Sequence, residues 1–267
     1  MIEFSLLSLN TFGIPFYLGW ERLGRLTRQL NELPVTALCL QEIQQNAYAY
    51  MIQRGLKSYP YFAFQRHHYA PKGGLATFSR IPYVDQTFEV YTHRGSWHSV
   101  SIADWALHKG IQKVSFELDG ISFFVLNTHL NANYGGVWAL TNHLTRIIYR
   151  QVVQLNEAVR SLPKNSAVIV CGDFNFPRNS FLYEELIGPN RLIDPLATDQ
   201  RHTYRPFPLV PSKWKTSLDY ALVRIPENNS LQVHADLIEV EDTTKKGSLS
   251  RFLTDHNALL LRINQNP

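Results

Sequence analysis

Two cysteines are all that the 267 residues contain. Cys39 lies in TALCLQ and Cys171 in AVIVCGDF, both apolar and strand-like. A disulfide framework or a thiolate zinc site needs more cysteines, or Cys and His at ligand spacing. The two thiols are therefore expected to pack as small buried hydrophobes. Long hydrophobic runs are also missing. No segment approaches the roughly 20 apolar residues that span a bilayer. Charge of one sign is scarce: 26 Lys and Arg against 22 Asp and Glu leave a net +4. The longest basic run is the pair Lys245-Lys246, so there is no polybasic arm. There is no internal repeat, low-complexity tract or Pro-, Gly- or Ser-rich linker, which favours a single domain over residues 1–267.

What is present is an ordinary globular composition, 45% hydrophobic and 18% charged. A chain of this length can bury a sizeable core without staples. Fifteen Phe, thirteen Tyr and five Trp supply bulk for it. The opening MIEFSLLSLN has no basic leader and a short apolar stretch, so it does not read as a signal peptide. A soluble, cytoplasmic protein is expected, with secretion the alternative if a leader has been removed. The mild positive balance suits an anionic partner: a phosphate ester, an acidic membrane surface or nucleic acid.

The pattern predicts strands at 2–9, 35–41, 75–79, 111–118, 121–128, 167–171, 218–223, 231–238 and 258–263. It predicts helices at 21–33, 44–55 and 143–162. In the last, Ile148, Val152, Leu155, Val159 and Leu162 share a stripe that Pro163 closes. Asp119-Gly120 is a two-residue hairpin signal. The stretch 176–217 shows little periodicity and reads as long loops with a short helix near 180–187. Hairpins together with strand–helix–strand runs point to a mixed β core between helical layers, an α/β (α+β) fold.

Polar residues gather where the strands stop. Asn10 ends the first strand and Glu42 follows the second. His129 and Asn131 follow 121–128, Asp173 and Asn175 follow 167–171, Asp219 opens a strand, and Asp255-His256 precede the last. Strand ends converge on one rim of a layered sheet, where loops carry function. An Asp before a strand is ordinarily a cap and a lone His ordinarily structural, so the joint pattern carries the argument. Phosphodiester hydrolysis needs a base for water and neutralisation of charge on the phosphoryl oxygens and leaving alkoxide. A hard divalent cation suits this. Mg2+ takes few oxygen ligands from protein, and Glu42 with Asn10 and a water-mediated Asp255 fits that habit, with Mn2+ the second candidate. His256 is the candidate general base, with Asp219 accepting its second N–H.

SLNTFG, LCLQE, NTHLNAN, CGDFNFP, SLDYALV and TDHNALLL occur in the order found in the endonuclease/exonuclease/phosphatase superfamily, and the chain resembles that family from residue 5 to about 263. The resemblance implies a four-layer sandwich of two mixed β-sheets flanked by helices. It implies Asn10 and Glu42 at the metal with Asp255 near it, and His129 on the phosphoryl oxygens. Asp173 and Asn175 would act at the nucleophile and phosphate, and His256 as base, oriented by Asp219.

The superfamily includes nucleases, inositol-phosphate phosphatases and neutral sphingomyelinases, so membership does not fix the substrate. LNTFGIPFYLGWERLGRLTRQLNEL and GGLATFSRIP are similar to segments of the neutral sphingomyelinase branch. DWALHKG at 104–110 resembles that branch's loop in which an Asp and a downstream Lys act near the substrate. This implies Asp104 and Lys109 as substrate-binding residues, with Lys109 a mobile cation that Asp104 holds; Asn131, which follows the strand at 121–128 with His129, is a further substrate-binding candidate. The bland alternative is an exposed loop pair of little energetic worth. Trp97, Trp105, Tyr134 and Trp138 are candidates for peripheral membrane contact. The expected function is thus a Mg2+-dependent phosphodiesterase with sphingomyelinase-like phospholipase C activity on a phospholipid. The main alternative is a nuclease on DNA or RNA, its basic groove drawn from Arg66, His67, His68, Lys72, Arg201, His202, Arg205, Lys213 and Lys215. An inositol-phosphate phosphatase and a non-catalytic phospholipid binder are further alternatives.

Overall fold

Period-two burial along the central strands explains the layering. In β1 (Glu3–Gly13), Phe4 and Leu6 face one way and Leu7 and Leu9 the other, and all four are buried. In β8 (Ala167–Asp173), Ile169 and Cys171 face the same core as Phe4 and Leu6, while Val168 and Val170 face away. A strand buried on both faces must lie inside a stack of layers.

The computed structural model describes residues 3–15, 18–95, 105–133, 135–205, 215–227, 230–245 and 251–265. The remaining strands are β2 (Ala37–Ile43), β3 (Tyr61–Ala63), β4 (Ala76–Ser79), β5 (Asp85–Val90), β6 (Gly110–Leu118), β7 (Ile121–His129), β9 (Asp219–Arg224), β10 (Leu231–Ile238) and β11 (Ala258–Gln265). The helices are α1 (Gly19–Glu32), α2 (Asn46–Gly55), α3 (His143–Arg160) and α4 (Phe181–Ile187). One sheet runs β10-β11-β1-β2-β4-β3 and the other β5-β6-β7-β8-β9. Each is mixed: β1–β2 and β7–β8 are parallel pairs, the rest antiparallel. A central core containing Phe4, Phe116, Phe123, Leu259, Leu261 and Ile263 lies between the sheets, and Phe4 stacks on Phe123 with centroids 4.7 Å apart. The outer face of the first sheet packs on α1 and α2, and that of the second on α3 and α4. The result is the four-layer sandwich of two mixed sheets that the sequence implies.

Most elements fall where the periodicity puts them. The hairpin at Asp119-Gly120 forms with φ of 49° and 79°, the left-handed pair that a tight type I′ turn requires. The pattern predicts neither β3 nor β5. Each lies at a sheet edge, and most of its residues are exposed, so no alternation marks it. Both cysteines are free and buried, as expected. Among the described residues no helix is long and apolar enough to cross a membrane.

Candidate active site

Sheet register builds the site. His129 on β7 pairs with Asp173 on β8, and Asp173 pairs with Asp219 on β9. Three chemically active side chains thus stand in one row across three neighbouring strands. The facing sheet contributes Asn10 from β1, Glu42 from β2, and Asp255-His256 just before β11. Asn10 joins the two sheets, its Nδ2 donating to Asp173 Oδ2 at 2.9 Å.

These residues surround a cavity of about 710 Å3, lined by Glu42, Lys109, His129, Asp173, Asn175, Asp255 and His256. Phe12, Trp138, Tyr204, Thr216 and Leu218 complete much of its wall. His256 Nδ1 lies 2.8 Å from Asp219 Oδ2. With that nitrogen donating, Nε2 is left facing Asp173 and Asp255, 3.9 Å from each. His129 Nε2 lies 3.6 Å from Asp173 and 3.9 Å from Glu42.

Asp219 is buried, and Thr203 Oγ1 accepts from its backbone N–H and from that of Leu218. Asn175 has φ of 56°, its N–H donates to Asp173 Oδ1, and its Nδ2 donates to Leu130 O at 3.0 Å. Glu42 has φ of 58°. Left-handed backbone costs a non-glycine residue about 1–2 kcal/mol, and such strain collects at functional sites.

The electrostatics are those of a site built for a cation. Burial pushes the Glu42 carboxyl up, and the Asp173 charge adds to this, while Asn10, His256 and Lys109 oppose it. Burial and then the Asp219 charge raise Asp173 to about 6. Burial, with Glu42 contributing, raises Asp255 to about 6. Burial pushes the His129 imidazole well below its usual value, and Lys109 and His256 add to the effect. Burial also disfavours protonated His256, yet Asp219, Asp255 and Asp173 outweigh it and hold that imidazole well above its usual value. Crowded carboxylates with oxygen donors suit a hard divalent ion. Glu42, His129 and Asp173 offer ligand atoms within 4.8 Å of one another. Asp255 Oδ1 is buried with no hydrogen-bond partner among the described residues. The donor set therefore fits a metal.

The structure does not treat all of the expected residues alike. Asn10, Glu42, His129, Asp173, Asn175, Asp219, Asp255 and His256 come together. Lys109 also reaches the cavity, but not as a mobile loop cation. It is 1% exposed, and its Nζ donates to Leu130 O at 2.7 Å. Asn131 is fully buried and does not line the cavity. Its backbone N–H and its side-chain Oδ1 are both taken by Gln151. Asp104, Trp97, Tyr134 and Lys213 lie outside the described residues. Trp138 lines the cavity and Trp105 is exposed.

Sequence reasoning missed Arg22. This buried guanidinium donates to the carbonyls of Thr11, Phe12 and Leu253, tying the end of β1 to the segment before Asp255. The available signal was an arginine on the same buried face of α1 as Leu23, Leu26 and Leu30. Tyr204 was also missed, because it lies in the aperiodic stretch; its ring sits 5.1 Å from that of His256.

Residues 7–256 match the endonuclease/exonuclease/phosphatase family, and the chain belongs to it. Among curated relatives, the inositol phosphosphingolipids phospholipase C of Schizosaccharomyces pombe is 29% identical over 188 residues, covering 68% of this chain and 43% of that protein. Human sphingomyelin phosphodiesterase 2 is 26% identical over 182 residues, covering 65% of this chain and 41% of that protein. The chain thus spans less than half the length of the curated relatives it matches. Among solved structures, beta toxin from Staphylococcus aureus superposes with a TM-score of 0.78 at 17% identity, covering 98% of this chain and 100% of the toxin. A mutant of that toxin with bound magnesium ions gives 0.74 at 16% identity, covering 99% and 100%. These likenesses to solved structures concern the fold.

Proposed function

We propose that this chain is a metal-dependent phosphodiesterase, acting on a sphingolipid phosphodiester as a phospholipase C. The observation that carries the reading is the His256–Asp219 pair, whose free Nε2 opens onto a cavity walled by Glu42, Asp173 and Asp255. Asp219 fixes the tautomer, so Nε2 accepts the proton of an attacking water. Asp173 and Asn175 orient that water. His129 and Lys109 hold the phosphoryl oxygens. Glu42 and Asp255 would hold the ion, with Asn10 positioning Asp173 beside them. Mg2+ is the proposed ion, and Mn2+ suits the same oxygen donors. Such an ion, when bound, polarises a phosphoryl oxygen and stabilises the leaving alkoxide.

The names of the relatives, which concern sphingolipid phosphodiesters, support that substrate class. A nuclease groove has less support. Arg201 is engaged with Asp199 and Asp236, and Arg205 with Glu241. The test compares sphingomyelin micelles, lysophospholipid, plasmid DNA and an inositol polyphosphate under the same Mg2+ conditions. Release of phosphocholine from sphingomyelin is expected at the highest rate. Cleavage of DNA alone would replace this reading with the nuclease.

Metal binding carries its own pH signature. Asp173 and Asp255 sit near 6 in the folded chain, above the ordinary carboxylate value of about 4. The folded state therefore binds these protons more tightly than the unfolded state, and stability falls as pH rises from about 4 through about 6. A cation offsets this cost only where the carboxylates are ionised. Millimolar Mg2+ should raise Tm at pH 8 and much less at pH 5, measured by differential scanning calorimetry. An equal rise at both values would remove Asp255 as a ligand and Asp173 as a carboxylate beside the ion.

A further inference from the structure

Gln151 is a fully buried amide in the middle of α3, outside the cavity, on the face that carries Ile148, Val152 and Leu155. A polar side chain there must satisfy its hydrogen-bonding groups or lose stability. Gln151 Oε1 accepts from Asn131 N at 3.0 Å. Its Nε2 donates to Asn131 Oδ1 at 2.5 Å and to His93 O at 2.8 Å. One side chain therefore grips the turn that follows His129 and the segment that follows β5.

What the turn does gives the grip its meaning. Leu130, between His129 and Asn131, presents a carbonyl that accepts from both Lys109 Nζ at 2.7 Å and Asn175 Nδ2 at 3.0 Å. Its own N–H donates to Asp173 O at 2.9 Å. The other gripped segment leads to the same place, since Tyr91 N donates to Lys109 O at 3.0 Å and Tyr91 Oη bonds with Thr128 Oγ1 at 2.7 Å. Lys109 precedes β6 and Asn175 follows β8, yet the two side chains meet at this one carbonyl.

We infer that Gln151 is a positioning residue: by locking Asn131 it fixes the Leu130 carbonyl, and through it aims Lys109 and Asn175 together at the substrate phosphate. The inference rests on the phosphodiesterase reading. Asn131 belongs to this lock and does not line the cavity. Displacing a positioned group by about 1 Å can cost on the order of 100-fold in rate, so the lock acts on kcat rather than on affinity.

The test compares Gln151→Leu with Val152→Ala, a neighbouring buried substitution in α3 that leaves the Asn131 contacts in place. Turnover of bis-nitrophenyl phosphate is measured with Mg2+, alongside amide hydrogen exchange over residues 128–137. Gln151→Leu should lower kcat roughly 30-fold with KM within about twofold, and should speed exchange in that segment. Val152→Ala should lower Tm without doing either. In a Lys109→Met background, Gln151→Leu should cost much less than it does alone, because the group it aims is already gone. Unchanged kcat in Gln151→Leu, an equal kcat loss in Val152→Ala, or fully additive losses would each overturn the inference. If Gln151→Leu does not fold, Gln151→Met, which removes both contacts to Asn131 but keeps the length of the side chain, is read the same way. A wild-type chain without turnover would instead refute the phosphodiesterase reading, and the exchange comparison would still decide whether Gln151 holds the turn.

Discussion

His256→Ala should lower kcat by about 10³-fold, the scale of a lost general base, while the far-UV circular dichroism stays native. The reason is geometric. Nδ1 is committed to Asp219 at 2.8 Å, so Nε2 is the His256 nitrogen turned toward the cavity. Alanine also leaves the buried Asp219 carboxylate without its imidazole, which costs stability. His256→Asn separates the two effects: its amide can donate to Asp219 but cannot take a proton at neutral pH. It should match the kinetic loss with a smaller drop in Tm.

The pH profile gives the sign. A base works in its neutral form, so activity should rise with pH as His256 loses its proton. Asp219, Asp255 and Asp173 hold that proton above the usual histidine range. The same raised value stabilises the fold below about 6.5, and that contribution is lost as pH rises through the folded value. In both variants the part of the acid limb of kcat/KM that His256 sets should disappear, leaving the part set by Asp173 and Asp255 near 6. Near-normal turnover, or an acid limb at the wild-type position, would remove His256 as base.

Lys109→Met should cost about 100-fold, the scale of one removed charge-stabilising donor. An exposed loop lysine would act only on substrates large enough to reach it. Lys109 is instead buried in the cavity wall, close enough to Glu42, Asp173 and His129 to shift all three. Its effect should therefore fall on the phosphate itself. Sphingomyelin and bis-nitrophenyl phosphate should lose rate alike. A loss confined to the lipid would restore the picture of Lys109 as a mobile loop cation.

Much of the site is legible in the sequence because its residues interrupt apolar runs at strand ends. Asn10, Glu42 and Asp173 each end an apolar run and Asp255-His256 precede one, and sheet register then gathers them. The rest is hidden for physical reasons. Burial of Lys109 depends on the Leu130 carbonyl 21 positions later, and nothing local announces that acceptor. Asn131 reads as a substrate contact because it follows His129 by two residues, but the chain turns there and Gln151 closes over it. Gln151 itself has a signal, a polar residue on the apolar stripe of the best-marked helix. Tyr204 and Thr216 come from a stretch whose wall position is set by isolated bridges rather than by regular strands, so no periodicity marks them.

The most direct measurement of the central claim is sphingomyelin hydrolysis by the chain in 18O-labelled water, with the phosphocholine product analysed by mass spectrometry. With Mg2+, phosphocholine should carry one solvent oxygen, and EDTA should abolish its formation. EDTA-resistant turnover, or product without solvent oxygen, would contradict a metal-dependent attack of water at phosphorus.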